Sequence, residues 1–181
     1  MLPPAKGRRL EATWAAVSAW MCADIKMDPG LHPGAIFGFY ALNKEPVYRN
    51  TETWWELDFE VLGRKPIEMV YSAFDGGLAK TARKFMPKAL NAGFQRFCLD
   101  WDMPNGVATW SIDGRITHST PLSACWRTPI RPKFTYWVGI CGGPSGVSGS
   151  SSCEWAGGNS VPAATGITLR NVRYKIRQAT F

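Results

Sequence analysis

The sequence predicts an all-β fold, a sandwich or jelly roll, and three observations lead there. Gly and Pro, 18 and 13 of the 181 residues, are spread along the chain, and turns at that density divide a chain into short strands. Apolar and polar residues alternate with a period of two in several stretches, whereas long patterns with a 3.6-residue period are scarce. No helical segments alternate with the strands, as a parallel βαβ sheet would require. Hydrophobic residues make up 45% of the chain and nine are Trp, which supplies the apolar surface that a disordered polymer lacks. The length fits one domain, 1–181, with a substantial core. No run approaches the roughly 18 apolar residues of a membrane span.

The elements follow in order. Residues 1–10 are polar and carry prolines, which suggests a loose end. From Trp20 onward, Met21, Ala23, Ile25 and Met27 alternate with Cys22, Asp24 and Lys26, a strand closed by Asp28-Pro29-Gly30. Ala35 to Leu42 reads as a second strand, aromatic on both faces, and a polar loop, Asn43 to Thr53, leads to an acidic strand at Trp54–Gly63. Ile67 to Phe74 is its expected hairpin partner. Residues 78–92 mix helical and loop signals and receive no assignment. Phe94–Trp101 and Val107–Ile112 are strands, and Asp113-Gly114 is the strongest hairpin turn in the chain. Residues 133–140 form a strand containing Trp137, and Gly142 to Ser152 is a Gly/Ser loop. In the last strand, Ile167 to Ile176, the apolar parity changes between Leu169 and Val172, which predicts a β-bulge. The count is seven or eight strands.

The acidic strand reads Trp54-Trp55-Glu56-Leu57-Asp58-Phe59-Glu60-Val61-Leu62-Gly63. With a period of two, Glu56, Asp58 and Glu60 share one face and Leu57, Phe59 and Val61 the other. Carboxylates are depleted in strands and like charges on one face repel, so the arrangement costs stability. Two readings stand open on the residues alone. One is a solvated face that happens to be acidic. In the other, the two Glu lie four residues apart, about 13 Å between Cα atoms. Leaning inward, they reach the ~5–5.5 Å separation of a retaining glycosidase pair, and the middle Asp58 holds their pKa values apart.

The formal charge of +7 raises nucleic acid as a partner. The cations are scattered, however, over Arg8-Arg9, Lys80 to Lys88 and Arg170 to Arg177, without a recognition motif. A solvated basic surface suited to an acidic polymer or wall is the expectation, with no nucleic-acid partner. The five cysteines form no C-x-x-C pair, and His32 and His118 are far apart, so no metal site is expected. Cys141 and Cys153 bracket the Gly/Ser loop and are the candidate disulfide if the protein is secreted. Met1-Leu2-Pro3-Pro4-Ala5-Lys6 lacks the apolar segment of a signal peptide.

Together these residues resemble a known family. Glu56-Leu57-Asp58-Phe59-Glu60 is similar to the E-x-D-x-E active-site strand of family 16 glycoside hydrolases, which include lichenases and xyloglucan transglycosylases on a concanavalin-like jelly roll of two antiparallel sheets. Asp100-Trp101 with Trp110-Ser111-Ile112-Asp113-Gly114 resembles the family's "DW…W-x-V-D-G" strands. Ala23–Pro29, Gly34–Leu42, Thr128-Pro129 to Trp137 and Val172-Arg173-Tyr174 resemble further strands, so the likeness covers about residues 11–176. No residue is inserted after Asp58, as on the lichenase and transglycosylase side of the family.

The resemblance implies Glu56 as nucleophile, Glu60 as general acid and then base, and Asp58 as the assisting carboxylate. It implies Trp54, Tyr40, Phe74, Trp137 and Trp155 as sugar-binding aromatics; ordinary core packing is the plainer alternative for each. It further implies a β-linked polysaccharide as substrate or partner, an extracellular or cell-wall location, and no cofactor beyond the structural calcium of some relatives. A non-catalytic, lectin-like carbohydrate-binding domain on the same scaffold is the competing function. The departures are Ser72 and Thr135, where lichenase-like members commonly have Asn, and a longer segment between Trp137 and Trp155. The likeness also begins at Glu11, after strands that members usually carry, so the sandwich is expected to lack N-terminal strands if the chain has none to spare.

Overall fold

The computed structural model describes residues 8–28, 35–43, 54–63, 65, 67–76, 78–86, 88–123, 128–138 and 166–180. The strands are β1 (Arg8–Glu11), β2 (Ser18–Asp28), β3 (Ala35–Leu42), β4 (Trp55–Leu62), β5 (Glu68–Asp75), β6 (Leu78–Phe85), β7 (Gln95–Asp102), β8 (Val107–Ile112), β9 (Arg115–Pro121), β10 (Arg131–Val138) and β11 (Gly166–Gln178). They form a six-stranded sheet, β1-β10-β3-β4-β5-β6, and a five-stranded sheet, β11-β2-β7-β8-β9. Every pairing is antiparallel. This is the expected all-β jelly-roll sandwich, with more strands than the sequence suggested.

Alternation builds the core. Met21, Ala23, Ile25 and Met27 of β2, Phe37, Phe39 and Ala41 of β3, and Leu57, Phe59 and Val61 of β4 are buried between the sheets. Phe39 stacks on Phe59 and Phe134 at centroid distances of 5.7 and 4.4 Å, and Phe59 meets Phe97 edge-on at 5.5 Å. Each fully buried Phe contributes roughly 1.5–3 kcal/mol. The alternation of β4 is therefore anchored across the sandwich, and a one-residue slip would exchange Phe59 for carboxylates.

Several local expectations hold. β4 and β5 form the hairpin pair, with Glu56 opposite Phe74 and Glu60 opposite Val70. Asp113 and Gly114, both at positive φ (50° and 78°), turn β8 into β9 in the left-handed geometry that a tight hairpin demands. The register of β11 on β2 shifts between Arg170 and Arg173, with Asn171 at φ 52°, which is the β-bulge.

Other expectations are corrected. Arg8–Glu11, at the end of the stretch read as loose, pairs with β10 as an edge strand. Residues 78–92 contain β6 and a 3₁₀ turn at Leu90–Ala92. Cys22 and Cys98, to which no pairing was assigned, stand opposite each other in β2 and β7 and form a disulfide across 76 residues. Cys141, Cys153 and the 142–152 loop lie outside the described residues.

The two sheets part at the β1/β11 side. Leu10 of β1 and Val172 and Tyr174 of β11 are 61%, 47% and 55% exposed. With Trp14, Met21 and Phe134 they line a cleft of about 300 Å³. Trp14 sits between Tyr174 and Trp101, at centroid distances of 4.9 and 6.0 Å.

Candidate active site

The candidate site lies on the outer face of the six-stranded sheet, at its middle. β4 is hydrogen-bonded on both sides, so its outward residues are held in fixed rows. Glu56 lies between Leu42 and Phe74, Asp58 between Tyr40 and Ser72, and Glu60 between Gly38 and Val70. The strand brings the three predicted carboxylates onto one face, as their spacing requires. Asp58 is only 3% exposed, while Glu56 and Glu60 are half-buried.

Burial among like charges governs their protonation. Asp58 is held well above the ordinary carboxylate range, first by burial, then by the charges of Glu56 and Glu60, and by the hydrogen bond that it donates to Glu56 when protonated. Glu60 is pushed up to about 8, mainly by burial and then by Glu56, against a downward pull from Arg83. At neutral pH Glu60 therefore keeps its proton, and the shift at Asp58 favours its protonated form. One glutamate on the strand is a proton donor at physiological pH, and the middle acid, when protonated, is a hydrogen-bond donor to the other glutamate.

The surroundings set the space around these acids. Gly38 stands beside Glu60. A Cβ there would come within 3.0 Å of Thr135 Oγ1 and 3.4 Å of the Tyr40 ring, so glycine keeps that position open. Ser72, buried next to Asp58, shares a hydrogen bond with Thr81 across β5 and β6 (3.4 Å). Trp54 stacks on Phe74 at 4.4 Å with 14° between the planes, directly beside Glu56. Its buried indole Nε1 has no hydrogen-bond partner among the described residues.

The structure thus gathers Trp54, Phe74 and Tyr40 around the acidic row. Of Trp137 it describes the backbone, in β10 opposite Ile36. Trp155 lies outside the described residues. Sequence reasoning did not single out Gly38 or Arg83; Arg83 belongs to the stretch left unassigned. Alternation in Leu78–Phe85 is hidden by three cations, Lys80, Arg83 and Lys84, which is the usual dress of an edge strand. Among the described residues no group of three His, Cys, Asp or Glu is arranged to hold a metal ion, so none of them is assigned to a calcium site. No helix there is long and apolar enough to cross a membrane.

The model of glycosyl hydrolases family 16 matches residues 2–157. The chain belongs to that family. No curated protein matches it at a significant level. Among solved structures, it is similar to the Bacillus licheniformis beta-glucanase, with a TM-score of 0.67 and 19% identity over 93% of this chain and 71% of that one. It is similar to the Crh5 transglycosylase, with a TM-score of 0.69 and 20% identity over 96% of this chain and 69% of that one. It is also similar to the laminarinase catalytic domain of Thermotoga petrophila RKU-1, with a TM-score of 0.65 and 15% identity over 93% of this chain and 66% of that one. The family 16 chain therefore shares its fold with longer proteins and spans about two thirds of their length.

Proposed function

We propose that this family 16 domain is a retaining glycosidase or transglycosylase acting on a β-linked glucan, with Glu56, Asp58 and Glu60 as its catalytic acids. The observation that carries the proposal is the row itself: Glu56, Asp58 and Glu60 share one face of a strand paired on both sides, with Asp58 buried beside Glu56 and Glu60 pushed up to about 8. A solvated acidic face would show no such upward shifts.

Glu56 attacks the anomeric carbon and forms a glycosyl ester as the glycosidic C–O bond breaks. Glu60 gives its proton to the departing oxygen. Glu60, now a carboxylate, takes a proton from water or a sugar hydroxyl, whose oxygen attacks the same carbon and releases Glu56. Two inversions leave the configuration unchanged. Asp58 donates its hydrogen bond to Glu56, which favours departure of Glu56 as a carboxylate in the second step. Hydrolysis and transfer differ only in the acceptor. No cofactor takes part in these steps.

Trp54, Phe74 and Tyr40 offer aromatic faces on which the apolar C–H faces of sugars stack; Trp137 and Trp155 are proposed for the same role from the family resemblance. A glucan substrate agrees with the names of the beta-glucanase and laminarinase neighbours. The Cys22–Cys98 disulfide fits an oxidising, extracellular compartment. The test is a panel of mixed-linkage, β-1,3- and β-1,4-glucans, assayed for products with wild type and Glu56→Gln. Product from wild type and none from Glu56→Gln is expected. Equal activity in the two would sink the assignment.

A further inference from the structure

The two sheets differ by one strand, and the difference falls on one side of the sandwich. Lys80 and Lys84 of β6 donate hydrogen bonds to the carbonyls of Pro121 and Thr117 in β9, which fixes β6 over β9. Tyr71 of β5 meets Trp110 of β8, and Phe59 of β4 meets Phe97 of β7. Counting on through the strand orders, β3 stands over β2, β10 over β11, and β1 over no strand among the described residues. The five-stranded sheet is therefore one strand short beside β11. The gap is the cleft of about 300 Å³, lined by Leu10 of β1 and by Val172 and Tyr174 of β11.

β11 runs for 13 residues and, among the described residues, is paired on one side only. A row of backbone N–H and C=O groups is thus left for a neighbour. Its side chains divide by parity. Tyr174 lies opposite Met21 and lines the cleft with Val172, whereas Arg173 and Lys175 lie opposite Cys22 and Trp20 on the other face. Arg170 and Arg177 are engaged by Asp24 and Asp100. Arg173 and Lys175 are exposed and have no ion-pair partner among the described residues. Cations on an edge strand also deter aggregation, but that role does not require an apolar inner face left open to solvent.

We propose that β11 accepts one extended segment of a separate polypeptide, in which apolar residues alternate with Asp or Glu, as a sixth strand of the five-stranded sheet. Its backbone pairs with the free edge of β11, its apolar residues cover Leu10, Val172 and Tyr174, and its carboxylates meet Arg173 and Lys175. Charge decides against a second copy joined edge to edge through β11, because that arrangement sets Arg173 and Lys175 of one copy beside those of the other. The chain's own stretches that alternate apolar and acidic residues lie in β4 and β7, each already paired on both sides. The inference is independent of the chemistry proposed for the acids of β4.

The test is fluorescence anisotropy of labelled synthetic peptides of about nine residues, the length of a long strand, added to the full chain. One peptide alternates Val with Glu, one Val with Lys and one Gly with Glu. Wild type should bind Val/Glu about tenfold more tightly than Val/Lys, since two attractive cross-strand charge pairs replace two repulsive ones, and high salt should narrow that ratio. Gly/Glu, which has the charge without the apolar face, should bind about tenfold more weakly than Val/Glu. The double variant Arg173→Glu/Lys175→Glu should prefer Val/Lys. If it fails to fold by circular dichroism, Arg173→Gln/Lys175→Gln carries the test and should bind the two peptides alike. Leu10→Ser, on the facing sheet, should weaken Val/Glu binding about fivefold, which a peptide held on the outer face would not feel. Equal affinity of wild type for Val/Glu and Val/Lys, a preference that survives the charge changes, or Gly/Glu binding as tightly as Val/Glu overturns the proposal. So does a dimer of the chain alone in sedimentation equilibrium that Tyr174→Ser dissolves, because it gives the edge to a second copy.

Discussion

The middle of the six-stranded sheet and the open β1/β11 side distribute polarity in opposite ways. At β4, three acids crowd one face of a strand paired on both sides, with Phe59 and its aromatic neighbours fixed beneath them. At the β1/β11 side, each edge strand has a neighbour on one side only, and Leu10, Val172 and Tyr174 remain largely exposed. Charges are buried where the scaffold is strongest, and apolar groups are left in solvent where it is weakest. The difference teaches where precision is spent. Holding a carboxyl well above its ordinary pKa needs a site that excludes water and cannot move, and rigid central strands provide it. The edge carries no such demand.

Substitutions at the two regions should therefore differ in kind and size. The largest effect is expected from Glu60→Gln, which removes the proton donor and the later base at little change of shape. Turnover should fall about 10²- to 10⁴-fold, measured as initial rate on the best glucan of the panel. In wild type, activity should decline as pH rises through about 8, where Glu60 loses its proton. The sign for stability is the same. Glu60 binds its proton more tightly in the folded chain than an ordinary glutamate, whose pKa is 4.5, so its contribution is full below that value and is lost as pH rises towards 8. Melting curves of Glu60→Gln should lack this part of the decline, and a parallel pH dependence in the two proteins would contradict the raised pKa.

Next comes Phe59→Ala, directly beneath the acids, with a cost of roughly 3–5 kcal/mol in denaturant unfolding. Opening the Cys22–Cys98 disulfide by double substitution to alanine should cost about 2–4 kcal/mol, as it frees a long loop in the unfolded chain. Thermal melts with and without reductant check this. Tyr174→Ala at the open side loses a stack on Trp14 and little burial, about 0.5–1.5 kcal/mol. Should it match Phe59→Ala in cost, the contrast between the two regions would be wrong.

Much of this was legible in the chain because short-range rules set it. Alternation alone places Glu56, Asp58 and Glu60 on one face and Phe59 on the other; Asp113-Gly114 marks its hairpin, and the parity change after Leu169 marks the bulge. Edge strands were harder. Arg8–Glu11 and Leu78–Phe85 carry cations where a central strand carries apolar residues, so their pattern resembles a loop. The Cys22–Cys98 bond depends on the register of β2 against β7, which no local signal announces. The same limit applies to the acids. Spacing puts them together, but the upward pKa shift of Asp58 follows from its burial and from the charges of Glu56 and Glu60. The exposure of Val172 and Tyr174 follows from β11 standing at an edge, although their alternation suits a buried strand.

The central claim is double displacement on the acidic row of β4. The direct measurement is proton nuclear magnetic resonance of the first product released from a β-glucan by wild type, read before mutarotation. The account predicts the β-anomer first, with the α-anomer appearing later. Initial release of the α-anomer, or no product from any β-glucan by the folded protein, would contradict it.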